Sequence, residues 1–458
     1  MRTLEGPGTV TLPMTAVAGG VLLGIAFTLS PLTIAVALGA VLMIAVAGRG
    51  LPDRERHALV ALLVVAFVLR AMAVGALFLV SPHSTQSAGV IFGDESYALY
   101  RSWRIRDVLL GIPILKYDYL IAYDSYGRSN YLSAITLVQT LVGPAPYALR
   151  LLNAVAFIGA ALLLFRVTHR AFGSTVAFSG LVVLLFLPTL FFWSISLLKE
   201  SFYFVLTVIV FATAIGCVRS RSWPARLAMA AAGGVALWAL HDLRTGAVTV
   251  AIAGLALGVA ARVAVERPLR IGVTAALLAL GVLLFLRGPA LQDRLLSGID
   301  TAATEHTGHV FTVGHAYKLL DDTAYIFPRT SPQYTLTPAE ATRFVVRALG
   351  SYLVTPLPWQ IATKGELVYL PEQLLWYALI VLAPFGVYAG YRRDPFVTCL
   401  LVGYLVPTAL AVALTTGNVG TLIRHRTLIV PYLVWLSAIG ACAAVSRVAG
   451  RVGRGWIR

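Results

Sequence analysis

The stretch "VIFGDESYALYRSWRIRD" holds an adjacent acid pair, Asp94 and Glu95, followed by Arg101, Arg104 and Arg106. A carboxylate of this kind can deprotonate a hydroxyl, hold a divalent ion, or simply face water. An arginine one or two turns further along a helix can hold a phosphate with a rigid fork of donors. Phe92, Tyr97, Tyr100 and Trp103 surround these charges. Acids and arginines among aromatic rings suit a phosphate-bearing ligand, with the carboxylate acting on something adjacent. The plainer reading is a solvated loop pair, the commonest fate of two neighbouring acids.

Three more charged motifs share this character. "FFWSISLLKESFYF" carries Lys199 and Glu200, "HDLRTG" carries His241, Asp242 and Arg244, and "RHR" carries Arg424, His425 and Arg426. Alone, the first is an ordinary turn with an interfacial lysine, and Arg244 is a snorkelling arginine. Together they make four charged motifs at the ends of apolar runs.

Those runs define the elements that must position the charges. The chain has 458 residues, of which 59% are hydrophobic and 12% charged, with a mean hydropathy of +0.83. A soluble protein of this length carries about twice that charged fraction. Apolar runs of membrane-spanning length recur along the sequence without the alternation of a barrel, so the pattern predicts an all-α polytopic membrane protein. Twelve crossings are expected: 12–29, 31–48, 57–80, 147–166, 174–194, 201–217, 227–240, 246–262, 271–287, 371–391, 396–414 and 427–446.

Alternate loops are rich in arginine, near Arg54, Arg166, Arg219, Arg262, Arg392 and the C-terminal residues. The positive-inside rule then puts both termini in the cytoplasm and all four charged motifs on the outer face. "RHR" breaks that rule, and an anionic ligand is the simplest reason. The expected organisation is a two-helix addition (1–56), a core (57–288) whose first outer loop (81–146) contains amphipathic helices, an outer-face subdomain (289–367) and C-terminal helices (368–458). Within the subdomain, Thr337-Pro338-Ala339-Glu340 reads as a helix start, and Tyr352 and Trp359 as interfacial anchors.

The net charge of +16 is absorbed by these loops and does not indicate nucleic-acid binding. Cys217, Cys399 and Cys442 fall in or at the ends of apolar helices with no metal-ligand or disulfide spacing. The first run has no small-residue cleavage site and reads as a retained anchor. No GxGxxG or GxxxxGK[ST] lies in a strand-to-helix context.

The order of motifs is an outer-loop Asp-Glu pair, then "PYALRLLNAVAFIGAALLLFRVTHRAFG", a "P…WS…KE" turn, "RTG" and "RHRTLIVPYLV". It resembles the GT-C superfamily of polyprenyl-phosphate-dependent glycosyltransferases, in particular relatives of the protein O-mannosyltransferases and lipid A aminoarabinose transferases. The resemblance covers roughly 57–260 and 420–446. It implies a GT-C-like core in a bacterial-type plasma membrane. It makes Asp94 the catalytic base, Glu95 its partner, and Arg244 a contact to the donor phosphate, with Arg101, Arg104 and Arg424 as further phosphate candidates. Glu200 fits an acid approaching the site; Lys199, His241, Asp242 and Arg426 are further site candidates. Asp94 and Glu95 are also the candidate ligands of a divalent metal ion. Lys116 does not align securely with the family's phosphate-binding lysine, and 289–367 shows no sugar-binding motif.

The partners implied are a polyprenyl-phosphate sugar donor, a glycan, lipid or protein acceptor hydroxyl, and membrane lipids. Such a donor already carries a good leaving group, so the enzyme holds the phosphate and deprotonates the acceptor. The nearest rival is a polyprenyl-linked polysaccharide polymerase or ligase, for which Arg294, His306, His309 and His315 in the outer subdomain would be the relevant residues. A transporter of a lipid-linked substrate is a third reading; it calls for mid-membrane charge and internal symmetry, and only Arg70 lies well inside an expected helix.

Overall fold

A computed structural model describes residues 30–81, 91–124, 129–244, 246–266, 288–327, 331, 334–360 and 364–448, with isolated positions between 272 and 281. The expected first crossing, most of the ninth and the basic C-terminal residues lie outside the described residues. The protein is an all-α polytopic membrane protein; among the described residues the sole β feature is an isolated bridge between Ala316 and Asn418. Seven described helices are long and apolar enough to cross a membrane, or eight if one bent pair counts as a span.

The chain divides into two compact units. One comprises Met1–Leu162, Phe191–Val205 and Asp242–Arg244; the other comprises Leu163–Leu190, Leu206–His241 and Thr245–Arg458. Several helices contribute residues to both.

Helix α1 (Pro31–Ala47) starts where Ser30 caps the Leu32 amide at 3.1 Å, with Pro31 at the first helical position. Its 17 residues put it at the short end of spanning length. Helix α2 (Asp53–Val80) is a full span. The segment between α2 and the next span folds into three helices, α3 (Gly93–Leu109), α4 (Lys116–Ala122) and α5 (Asn130–Val142). Helix α6 (Pro146–Phe172) returns as a span.

The crossing expected over 174–194 is not continuous. It breaks into α7 (Ser174–Phe186) and α8 (Pro188–Ser194), bent by 64°. Pro188 explains the break, because proline pushes the residue before it out of the helical region, and Leu187 takes ψ 122°. Helices α9 (Glu200–Arg219), α10 (Trp223–Leu243) and α11 (Ala247–Glu266) follow. Arg226, His241 and Asp242 close in on the apolar middle of α10, which is therefore too short to count among the spans.

In the second unit, α12 (Pro289–Val310), the single turn α13 (Thr323–Ile326) and α14 (Pro338–Val354) surround a core centred on Phe344. Helix α14 starts at Thr337 as its sequence predicts. The Thr337 hydroxyl accepts from the Glu340 amide, and the Glu340 carboxylate accepts from the Thr337 amide at 2.8 Å, closing a capping box. The Thr337 hydroxyl also donates to that carboxylate at 2.8 Å, and the two bonds from the Thr337 amide and hydroxyl hold the Glu340 carboxyl below the usual range.

Helices α15 (Lys364–Arg393), α16 (Pro395–Thr415), α17 (Val419–Arg426) and α18 (Val430–Val448) complete the chain. Two pairs touch backbone to backbone through glycine, the usual way for membrane helices to gain contact where no hydrophobic effect drives them together. A Cβ on Gly386 of α15 would run into the Leu436 carbonyl of α18, and a Cβ on Gly254 of α11 would sit 2.8 Å from the Tyr404 Cα of α16.

One expected anchor moves. Trp359 is 78% exposed, but Tyr352 is 2% exposed. Its ring meets Trp376 edge-on at 5.8 Å, so it packs α14 against α15 instead of the interface.

Candidate functional site

The acid pair opens α3, and the helix sends its two members in different directions. Asp94 is exposed. Glu95 is wholly buried, with its Oε2 2.5 Å from Nη1 of Arg150 on α6. Burial pushes the Glu95 carboxyl up, and the Arg150 guanidinium pulls against that shift. Just before the pair, Phe92 stacks on Trp193 with ring centroids 3.7 Å apart. Asp94 therefore sits on solvent-facing backbone fixed from both sides, by a stacked ring two residues before and an ion pair one residue after.

Arg150 belongs to a larger buried network. Between α8 and α9 the backbone at 195–198 is not helical, and its carbonyls need donors where water is scarce. Arg150 donates to the Ile195 carbonyl at 3.3 Å. Asn153, one turn along α6, donates to the carbonyls of Ser196 at 2.6 Å and Leu198 at 3.1 Å. Arg70 of α2 donates to Ser194 Oγ at 2.8 Å and to its own Ala66 carbonyl at 3.1 Å. The Arg70 guanidinium also lies 4.8 Å from the Phe191 ring centre and 5.3 Å from that of Phe157. Glu200, buried in the first turn of α9, completes the group. The buried Tyr131 phenol feels both Glu200 and Glu95, and burial above all pushes its titration upward. Lys199 is half-buried beside it in sequence.

The arginines that follow Asp94 are engaged within the α3–α5 segment. Arg101 is buried and donates to the Asp124 carbonyl at 2.5 Å and the Ala122 carbonyl at 3.3 Å, which closes the end of α4 onto α3. Arg104 pairs with Asp118 at 3.3 Å and Asp107 at 3.6 Å and lies over the Tyr100 ring. The Tyr100 hydroxyl donates to Asp118 as well. Arg106 donates to the Gln139 carbonyl at 2.9 Å. Gln139 ties α5 to α3, donating to Ser102 Oγ at 2.8 Å and accepting from the Trp103 indole at 2.8 Å. Lys116 is exposed at the start of α4.

Arg244 is half-buried just beyond α10 and falls in the same compact unit as Asp94; His241 and Asp242 are exposed. Arg424 and Arg426 belong to the other unit. There Arg426 is 2% exposed. It donates to Gln373 Oε1 at 3.2 Å, to the Thr355 carbonyl at 2.5 Å and to the Tyr352 carbonyl, and it lies 4.5 Å from the Trp376 ring centre. These bonds fasten α17 to α15 and to the end of α14, which accounts for a basic residue at that position without a ligand. Glu372 of α15 accepts from the Thr189 amide at 2.9 Å, capping the backbone freed by the break at Pro188.

The donor set does not fit a divalent ion at Asp94 and Glu95. A guanidinium already occupies the Glu95 carboxylate, and Asp94 alone is one ligand where several oxygens are needed. Among the described residues no three His, Cys, Asp or Glu side chains gather as a metal site.

Sequence reasoning did not single out Arg150, Asn153, Asp118 or Gln139 as organisers of this region. Arg150 and Asn153 stand one turn apart near the start of an apolar helix, a spacing that marks a polar stripe. Asp118 and Gln139 carried no comparable signal. No family model, curated protein or solved structure matches the chain.

Proposed function

We propose that the protein is a membrane glycosyltransferase that moves a sugar from a polyprenyl-phosphate donor to an acceptor hydroxyl on the outer face of the membrane. The observation that carries this reading is the division of the acid pair. Asp94 is exposed and held between the Phe92–Trp193 stack and the Glu95–Arg150 ion pair. A general base must meet solvent-borne acceptor and still be fixed to the scaffold. Asp94 takes the proton from the acceptor hydroxyl, the oxygen attacks the sugar carbon, and the lipid phosphate leaves with the bonding electrons. Glu95 and Arg150 hold the base in place. Arg244, in the same unit, is the candidate for the donor phosphate. No step passes through a metal ion.

The test is transfer from a synthetic polyprenyl-phosphate sugar by protein in nanodiscs. A positioned base contributes about 10²–10⁴-fold. Asp94→Asn lowers turnover by that range while melting temperature and donor binding stay at wild-type values. Near-normal turnover in Asp94→Asn removes the reading.

A second reading, a polyprenyl-linked polysaccharide polymerase or ligase, draws support from one observation in the other unit. His309 and His425 face each other with ring centres 6.1 Å apart, and His309 Nδ1 lies 2.7 Å from the Thr415 carbonyl. It predicts that His309→Ala abolishes transfer while Asp94→Asn spares it.

A further inference from the structure

Helices α12 and α14 are two-sided. One side of each enters the core around Phe344, where Ala303 and Ala348 are wholly or almost wholly buried. The other sides face each other across a groove of about 380 Å³, lined chiefly by Leu295, Leu296 and Ile299 of α12 and Val345 and Val346 of α14. That volume falls within the roughly 300–1,000 Å³ of small-molecule sites. Leu295 is 48% exposed and Val346 is 65% exposed. A region standing wholly in water seldom leaves such a patch open.

The patch continues along the chain. Leu349 and Leu353 are exposed three and seven residues beyond Val346, a spacing that keeps them on one helix face. Trp359 is exposed next. Leu367 and Val368, exposed in turn, open the membrane-spanning segment of α15. These exposed apolar residues thus follow one another along the chain from the groove to a helix of membrane-spanning length. No charged side chain lines the groove; its polar members are Gln292 and Thr342.

We propose that the α12–α14 groove takes an acyl chain of a bilayer phospholipid. The bilayer supplies acyl chains at far higher local concentration than any water-borne apolar ligand. An aliphatic chain fits an uncharged floor, and its headgroup stays at the water boundary. The occupant secures the outer subdomain to the membrane surface and is independent of the transfer chemistry.

The experiment uses the full chain in nanodiscs of phosphatidylglycerol carrying a photoactivatable group near the end of one acyl chain. After irradiation, adducts are mapped by mass spectrometry. Adducts are expected on residues 292–299 and 341–346, in addition to those on the spanning helices. Thr342→Trp fills the groove from an exposed position, so groove adducts fall roughly tenfold, the loss expected when most of the apolar contact is removed. Labelling of α16 stays constant, which confirms the fold. Val346→Asp places a charge at the rim and lowers the same adducts. Undiminished groove labelling in both variants overturns the proposal. So does displacement of the label by a polyprenyl phosphate present at a small fraction of the phospholipid, which assigns the groove to a prenyl chain instead.

Discussion

Glu95 Oε2 lies 2.5 Å from Arg150 Nη1, and both side chains are wholly inaccessible to solvent. This ion pair ties the first turn of helix α3 to the spanning helix α6. Removing one partner of a buried pair strands the other charge, at a cost of about 3–5 kcal/mol. Arg150→Ala should lose that much stability in denaturant unfolding in detergent. The double variant Glu95→Leu with Arg150→Met should recover most of it, since a matched apolar pair leaves no stranded charge. If the double variant is as unstable as the single one, the pair is not what holds α3.

Arg244 tests the donor side of the proposed reaction. A hydrogen bond to a charged group contributes about 1.5–3 kcal/mol. Arg244→Gln should therefore raise KM for a polyprenyl-phosphate sugar by roughly ten- to a hundredfold, with a smaller effect on kcat. An unchanged KM returns Arg244 to the role of a snorkelling arginine.

His306 sets a pH dependence in the α12–α14 region. It is wholly buried among Tyr317, Tyr325 and Phe344, and burial lowers its pKa from 6.5 to about 4. The folded value lies below the unfolded one, so the unfolded chain takes up the proton first as pH falls. The neutral ring's contribution is complete above about pH 6.5 and is lost between there and about 4. At the lower limit the loss is about 3 kcal/mol. Thermal melts from pH 7 to 4 should show this slope in the wild type and a flatter one in His306→Phe. Parallel slopes would mean another group carries the acid sensitivity.

Close helix contact gives a sharper mutational contrast. Gly386→Val should separate α15 from α18, because its Cβ would meet the Leu436 carbonyl, whereas Gly39 of α1 has nothing within 4 Å of the same atom. Overpacking costs typically 1–3 kcal/mol or more. Gly386→Val should lower the melting temperature in detergent well below that of Gly39→Val. Equal effects would show that the backbone approach carries no packing energy.

Orientation is open to chemical labelling. With the three native cysteines replaced, Ser331→Cys should react with an impermeant thiol reagent in intact cells, because the arginine-rich loops place the outer subdomain outside. Protection at Ser331, followed by labelling after permeabilisation, would reverse the orientation and with it the outer-face site.

The membrane class was legible in the sequence because hydropathy is summed over consecutive residues and needs no tertiary contact. The start of α14 at Thr337 was legible for the same reason: a capping box is completed within four residues. The α3 helix around Asp94 and the helical stretch at 130–142 were also readable from local pattern. The break at Pro188 was signalled by the proline itself, yet the 21-residue apolar run 174–194 masked it.

What the sequence left undecided was the direction and occupation of each charge. Asp94 and Glu95 are chemically similar neighbours, and nothing local says which one faces water. Arg150, 55 positions away, decides it by burying Glu95. Arg426 and Arg101 read as free cations until carbonyls from Tyr352, Thr355, Ala122 and Asp124 are brought to them. Tyr352 reads as an interfacial ring until Trp376 packs on it. Successive helical residues point about a third of a turn apart, so adjacent side chains meet different surroundings. Only the packed fold can fill those surroundings, because a buried charge persists only where a distant part of the chain supplies its partner.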